Sequence, residues 1–187
     1  RTTSFAALLA GAGLAIGAAW SGMLGNFAAG VFMQVLRPYK VGDFIQAGGV
    51  TGTVKELGLF GTTIVTPDNV TTIVGNGKVF GDNIQNYSAL PVRRVDCVTK
   101  VANSVNPMDA IARLTPVIAA IPNVSQNPAP EINILEFTPE GPKLAVRPYT
   151  HTDHYWQVYF DTNKAIVETF GAAGYRAPET PVAHRNV

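Results

Sequence analysis

The first 36 residues differ in pattern from everything after them. From Thr2 to Leu36 the chain carries no Asp, Glu, Lys or Arg. About 20 apolar residues cross a bilayer as a helix, and Phe5 to Leu24 has that length. A secretory signal has a shorter apolar core ahead of a cleavage site, whereas this uncharged run continues to Leu36. A buried helix of a soluble protein is the other alternative. At Gly22 the pattern changes: glycines, Asn26 and Gln34 break the apolar run, and glycine is a common kink point. The pattern predicts one spanning helix, a bend near Gly22, and a second amphipathic helix to about Leu36. Pro38 disfavours helix at Arg37 and ends it. Arg37 and Lys40, just past the span, place this end on the cytoplasmic side.

The spanning segment has two unlike faces. With about 100° per residue and Leu14 at the centre of one face, Ala7, Ala10, Gly17, Ala18 and Ser21 fall near it. Phe5, Leu9, Ile16 and Met23 fall opposite, and Gly11, Gly13 and Ala15 flank. Residues 1–36 hold six Gly and nine Ala. Small residues let helix backbones approach, and Gly13 and Gly17 form a GxxxG pair. Leu14 is the one large apolar residue on the narrow face. Copies packed around an axis with that face inward would form a Leu14 ring, and such a ring blocks ions by dewetting. Packing of the small face against other helices of the same chain is the alternative that the wheel leaves open.

Beyond Pro38 β-branched residues are dense. Val41–Ala47, Val50–Leu57, Thr62–Thr66, Val70–Val74 and a weaker stretch near Val79–Tyr87 read as strands. Gly48-Gly49 and Pro67-Asp68-Asn69 punctuate them. Five closely spaced strands suggest a small barrel-like β-domain. Gly75-Asn76-Gly77-Lys78 lacks phosphate-loop spacing and reads as a tight turn. Residues 92–181 continue with a strand at Val92–Val101 and a helix at Pro107–Ile121. Asn106 is its N-cap, Pro107 suits its first position, and Pro116 kinks or shortens it. Strands at Glu131–Thr138 and Lys143–Thr150 follow, then a helix capped by Asp153 and running to about Ala173. Tyr159, Ile166 and Phe170 share one face of that helix. The order β-α-β-β-α is that of a split βαβ, ferredoxin-like unit. Residues 182–187 are read as the possible start of a further barrel strand.

Composition adds exclusions. The formal net charge of the 187 residues is +1, so bulk electrostatics points to neither nucleic acid nor an acidic substrate. The β-domain lacks the aromatic and basic interleaving of nucleic-acid binders. Charged residues are 14% of the chain against roughly 25% in ordinary domains, a deficit concentrated in the first 36 residues. The single cysteine, Cys97, excludes an internal disulfide and reads as packing. His151, Asp153 and His154 are of metal-ligand type, with His184 far along the chain, but their strand-to-helix junction suits capping better. No nucleophile elbow, paired-carboxylate motif or cofactor fingerprint occurs, so neither an enzyme nor a bound cofactor is expected. The chain begins at Arg1 rather than Met, so upstream sequence is expected.

Four stretches, in order and spacing, resemble the small-conductance mechanosensitive (MscS-type) channel family. They are Gly11-Ala-Gly-Leu-Ala-Ile-Gly17 through Gly22-Met-Leu-Gly-Asn-Phe-Ala-Ala-Gly30; Arg37-Pro-Tyr-Lys-Val-Gly-Asp43; Gly49-Val-Thr-Gly-Thr-Val54 with Leu59-Phe-Gly-Thr-Thr63; and Asn76-Gly-Lys78 with Asn86-Tyr-Ser88 and Pro91-Val-Arg-Arg94. The match is good over residues 1–94 and collinear to about 181.

The resemblance implies a membrane α-helix plus α+β architecture. Residues 1–36 would be a kinked Ala/Gly-rich pore helix, 37–91 a five-stranded Sm-like β-domain, and 92–181 a ferredoxin-like cytoplasmic domain. It implies a homoheptamer in a bacterial-type inner membrane, multi-pass in the full-length protein, with further lipid-facing helices before the pore helix. Membrane tension would open it and release ions and small osmolytes. In the family two rings of bulky apolar residues close the pore; Leu14 takes the first position and Ala18 the second, which is a departure. Ala7, Ala10, Gly17 and Ser21 would line the pore. Gly22 matches the kink and Gly30 a second flexible glycine. Asn26, Phe60, Asn76 and Gly77 match positions where the helix meets the β-domain and inactivation is tuned. A membrane-anchored oligomeric assembly protein without channel activity is the competing reading.

Overall fold

A computed structural model describes residues 1–183, and its two compact units divide between Ala89 and Leu90. In the first unit the uncharged segment is a single helix, α1 (Thr2–Leu36). Its 35 residues reach ~52 Å at the usual rise per residue, well beyond an apolar bilayer core. Where the sequence predicts a bend near Gly22 and a second helix, α1 is helical without interruption through Gly22 and Gly25. Glycine weakens a helix but keeps its N–H and carbonyl, so the hydrogen-bond ladder can pass through it. The end is as expected: Arg37, ahead of Pro38, turns left-handed (φ 47°) and its N–H bonds the Met33 carbonyl.

Five strands follow α1: β1 (Phe44–Ala47), β2 (Val50–Leu57), β3 (Gly61–Val65), β4 (Thr71–Gly75) and β5 (Gln85–Asn86). They form one antiparallel sheet in the order β4-β3-β2-β1-β5. Gly48 and Gly49 both have positive φ (57° and 80°), which a two-residue hairpin of the favoured hand requires. The inner side chains Ile45, Ala47, Val54, Ile64, Val74 and Val79 form one core with Met33 of α1 and Tyr39.

Two polar motifs tie the sheet's last strand back to its first. Asn86 Nδ2 donates to Asp43 Oδ2 at 2.9 Å, and the Lys40 N–H donates to the same oxygen at 3.1 Å. The Phe44 N–H donates to Ser88 Oγ at 2.9 Å. One expectation fails here. The tight turn predicted at Gly75–Lys78 is instead a short helix, α2 (Asn76–Phe80). Two glycines in four residues suggest a turn, but Val79 is fully buried in the core and holds the segment in helical form.

The second unit opens with β6 (Arg93–Arg94) and β7 (Cys97–Lys100), where one strand was predicted over Val92–Val101. It continues with α3 (Pro107–Ala119), β8 (Glu131–Thr138), β9 (Gly141–Arg147), β10 (Tyr149–Thr150) and α4 (Tyr155–Ala172). The Asn106 side chain accepts from the Met108 N–H and Pro107 starts the helix, as the capping pattern predicts. Pro116 falls in the last turn of α3, which ends at Ala119, two residues short of the predicted bound. β9 lies between β7 and β8 and is antiparallel to both, the split βαβ arrangement. A separate pair joins β6 to β10. Leu114, Ile118, Val146, Val158 and Ile166 make the core between the helices and the sheet, with Tyr159 and Phe170 packed on it.

Asp153 does not cap α4. It sits in a 3₁₀ turn, Thr152–His154, and its own N–H donates to His151 Nδ1 at 3.2 Å. The histidine ring caps that turn, and α4 begins after His154 with no side-chain cap of its own. Cys97 is buried, and burial first, then the Asp96 charge, pushes its thiol up to about 11. That keeps it protonated at neutral pH, a packing side chain rather than a nucleophile. Residues 181–183 are in no strand; the rest of the predicted barrel strand, with His184, lies outside the described residues.

Candidate functional site

Every residue from Thr2 to Gly25 of α1 is exposed. Leu14 is 77% exposed, the barest of the helix's large side chains. Ala7, Ala10, Gly17, Ala18 and Ser21 are exposed beside it, and Gly11, Gly13, Gly17 and Gly22 have open space where a side chain would stand. Ser21 turns its hydroxyl back to the Ala18 carbonyl at 2.9 Å, which meets its hydrogen-bonding needs within the helix. α1 is the one described helix long and apolar enough to cross a membrane. An apolar surface of this extent on a single chain calls for lipid and for other helices.

The last third of α1 is seated firmly on the sheet domain. Ala29, Gly30 and Met33 are buried there. Gly30 is not free in this conformation. A Cβ at that position would lie 2.7 Å from Asn76 Nδ2 and closer still to the Leu59 carbonyl. The absent side chain is what allows α1 to reach the β2–β3 connection. Phe27 packs on Phe60 with ring centroids 5.8 Å apart, and Phe32 stacks on Phe80 at 5.9 Å.

Asn26 completes the seat. α2 begins after Gly75, which has no side chain to satisfy the first amides of the helix. Asn26 supplies the missing acceptor: its Oδ1 receives the Gly77 N–H at 2.8 Å. A side chain on Gly75 or Gly77 would stand 3.0 Å from that oxygen, so both glycines make room for it. Thus α1 caps α2 from outside.

Asn76 is fully buried and every polar atom has a partner. Its N–H donates to the Phe60 carbonyl (2.9 Å) and its Nδ2 to the Gly58 carbonyl (2.8 Å), while Thr62 Oγ1 donates to its Oδ1 (3.0 Å). Thr62 is itself fully buried, and its oxygen lies 2.8 Å from Tyr39 Oη. The structure therefore brings Asn26, Phe60, Asn76 and Gly77 together at one seat. Leu14, Gly17 and Ala18 lie elsewhere, on the bare part of α1. Thr62 and Tyr39 belong to the seat although sequence reasoning did not single them out. The available signal was a threonine at an inner-face position of β3, where a buried hydroxyl requires a partner.

Among the described residues no group of three or more His, Cys, Asp or Glu side chains is placed to hold a metal. His151 and Asp153 face each other at 3.4 Å, both well exposed.

Comparison with known proteins agrees with this architecture. Residues 22–89 match the family described as "Mechanosensitive ion channel, beta-domain", and residues 95–177 match "Mechanosensitive ion channel MscS, C-terminal". A small-conductance mechanosensitive channel of Edwardsiella ictaluri is 40% identical over 87% of this chain and 55% of its own length. An uncharacterized MscS family protein of Synechocystis is 31% identical over 89% of this chain and 56% of its own. The chain thus spans about half the length of the curated relatives it matches. In fold it is similar to the crystal structure of Helicobacter pylori MscS in its closed state. That match has a TM-score of 0.89 at 24% identity and covers all of this chain and 75% of that one. Arabidopsis thaliana MSL1 matches with a TM-score of 0.71 at 22% identity, over 92% of this chain and 65% of that one. The two matched domains follow one another along most of the chain, each with the fold just described, and the chain belongs to the MscS family of mechanosensitive channels.

Proposed function

We propose that this chain is the pore helix and cytoplasmic part of a channel that membrane tension opens, passing ions and small osmolytes on hypo-osmotic shock. One observation carries the reading: α1 is bare and small-faced around Leu14, yet clamped at its far end to a folded sheet domain. A mere anchor needs neither a small face nor a close-fitted seat. In this reading seven copies surround one axis in a bacterial-type inner membrane, with further lipid-facing helices in the full-length protein. Leu14 closes the pore as a ring, and Ala18 leaves the second position of the constriction open. Ala7, Ala10, Gly17 and Ser21 line the path. Gly22 is the hinge between the pore half of α1 and the seated half, and Gly30 fits the second half against the sheet. Asn26, Phe60, Asn76 and Gly77 couple the helix to the β-domain.

Tension selects whichever state occupies more membrane area, as a ligand selects the state that binds it better. The pore helices would tilt and slide along their Ala/Gly ridges and carry Leu14 off the axis. Selectivity should be weak, because the pore face offers neither a ring of charge nor a carbonyl filter. Gly17→Leu places a bulky side chain in open space on the sliding face. It is expected to raise the tension of half-opening in a pressure-clamp recording by about half or more, since each helix gains an obstruction of roughly 1–3 kcal/mol. An unchanged midpoint would remove the sliding step.

The direct test is a pressure-ramp patch recording of the full-length protein in pure lipid. Stepwise currents at a reproducible tension are expected. Silence up to membrane rupture, from protein shown to be inserted and oligomeric, would favour the anchored assembly protein instead.

A further inference from the structure

We propose that Tyr39 is a positioning residue: acting through Thr62, its hydroxyl holds Asn76, and with it the Gly77 amide, in the place against which α1 rests. The inference builds on the reading of α1 as a pore helix coupled to the β-domain.

The direction of each proton in this buried chain can be worked out. Asn76 Nδ2 faces the Gly58 carbonyl, an obligatory acceptor, so Oδ1 faces Thr62. Thr62 donates its only proton to that oxygen. Tyr39 must then donate to Thr62, across 2.8 Å. The relay runs Tyr39 to Thr62 to Asn76 to Gly58, with each hydroxyl proton committed and no solvent to replace a lost partner. Tyr39 is 3% exposed, and Thr62 and Asn76 are fully buried. Burial raises the Tyr39 phenol above its ordinary range, and the bond to Thr62 opposes this only in part, so the donor proton stays throughout the physiological range. Apart from Thr62, the phenol oxygen has only the weak acceptor Met33 Sδ, at 3.5 Å.

Two members of the relay adjoin α1. Tyr39 sits just beyond the helix, after the left-handed turn at Arg37. Asn76 is the first residue of α2, and the next amide, that of Gly77, is the one Asn26 caps. Beside the apolar contacts of Phe27, Phe32 and Met33, the helix is thus held to the domain by its covalent exit and by the Asn26–Gly77 bond. The relay spans the interior between them. Phenylalanine at Tyr39 would fill the same space and leave the Thr62 oxygen without its donor, which frees Asn76 to shift and loosens the amide under Asn26.

The experiment uses the full-length protein and two readouts. The first is amide hydrogen exchange in detergent or nanodiscs. Tyr39→Phe is expected to speed exchange at Gly77 about fivefold, the worth of one buried hydrogen bond, while amides of β2 away from the seat stay unchanged. The second is the decay of current during sustained tension. Decay should be about fivefold faster in Tyr39→Phe, with the tension midpoint unmoved, and the effect should shrink in an Asn26→Ala background because the transmitted contact is already gone. Thr62→Val should reproduce both changes and Thr62→Ser neither. Unchanged Gly77 exchange in Tyr39→Phe overturns the relay, whatever the currents do. Faster exchange with equal effects on decay in both backgrounds overturns the route through Asn26. A wild-type protein without current removes the channel reading, and the exchange readout then decides the relay alone.

Discussion

Leu14→Ser is expected to produce a channel that leaks at rest and impairs the growth of cells that express the full-length protein. The argument begins with what surrounds Leu14. No other large apolar side chain shares its face of α1 between Ala7 and Ser21, and nothing in its own chain covers it. A closed ring of leucines excludes water because filling so narrow an apolar space costs more than leaving it dry. Removing one leucine side chain from such a ring forfeits about 2 kcal/mol. Serine also supplies a hydroxyl that welcomes water. The loss repeats in every copy around the axis, so resting open probability should rise by roughly tenfold or more. With alanine at position 18, no second bulky ring stands behind the first to limit the leak. Single-channel recording at zero applied tension, with growth curves after induction, measures the effect. A variant that stays closed at rest would take the gate away from Leu14.

Gly30→Ala should break the seat of α1, whereas Gly22→Ala should be tolerated. Both positions are glycines in the same continuous helix, where alanine is the better helix former by about 1 kcal/mol. Their surroundings decide the sign. A methyl group at position 22 meets open space, and one at position 30 runs into the Leu59 carbonyl and Asn76 Nδ2. Backbone carbonyl and fully bonded amide can give way only by moving α1 outward. That movement stretches the Asn26–Gly77 bond and parts Phe27 from Phe60. Overpacking of this kind costs roughly 1–3 kcal/mol. The β-domain's unfolding midpoint should fall by about 5–10 °C for Gly30→Ala and hold or rise for Gly22→Ala. Calorimetry of the two full-length variants settles the comparison. In current recordings, Gly22→Ala tests the hinge proposal separately: a stiffer helix should alter the decay of current under sustained tension, and no change would sink the hinge.

The elements that could be read from the sequence are those with a local cause. Strands β2 and β8 have the bounds that the β-branched runs and their turn residues predict, and α3 starts at the Asn106–Pro107 signal. The apolar length of α1, its small face and the isolation of Leu14 on that face all follow from residue spacing. The misreadings arose where a distant contact overrode a local preference. Two glycines near Asn76 suggested a turn, yet burial of Val79 and the cap supplied by Asn26, 51 positions earlier, make a helix there. Asp153 resembled a helix cap, but a 3₁₀ turn capped by His151 precedes α4, which starts without a side-chain cap.

Sequence by itself determined the membrane-length helix, its lopsided face, the first four strands of the first unit and the β-α-β-β-α order of the second. These depend on hydrophobic period, and a period is a property of neighbours along the chain. Only the tertiary structure decided what the glycines and buried polar residues are for. Gly30 has one meaning in a flexible helix and another against the Leu59 carbonyl. Thr62 and Tyr39 are unremarkable until Asn76 stands between them and the helix. A buried donor or acceptor is worth what its partner makes it, and here the partners lie 14 to 51 residues away.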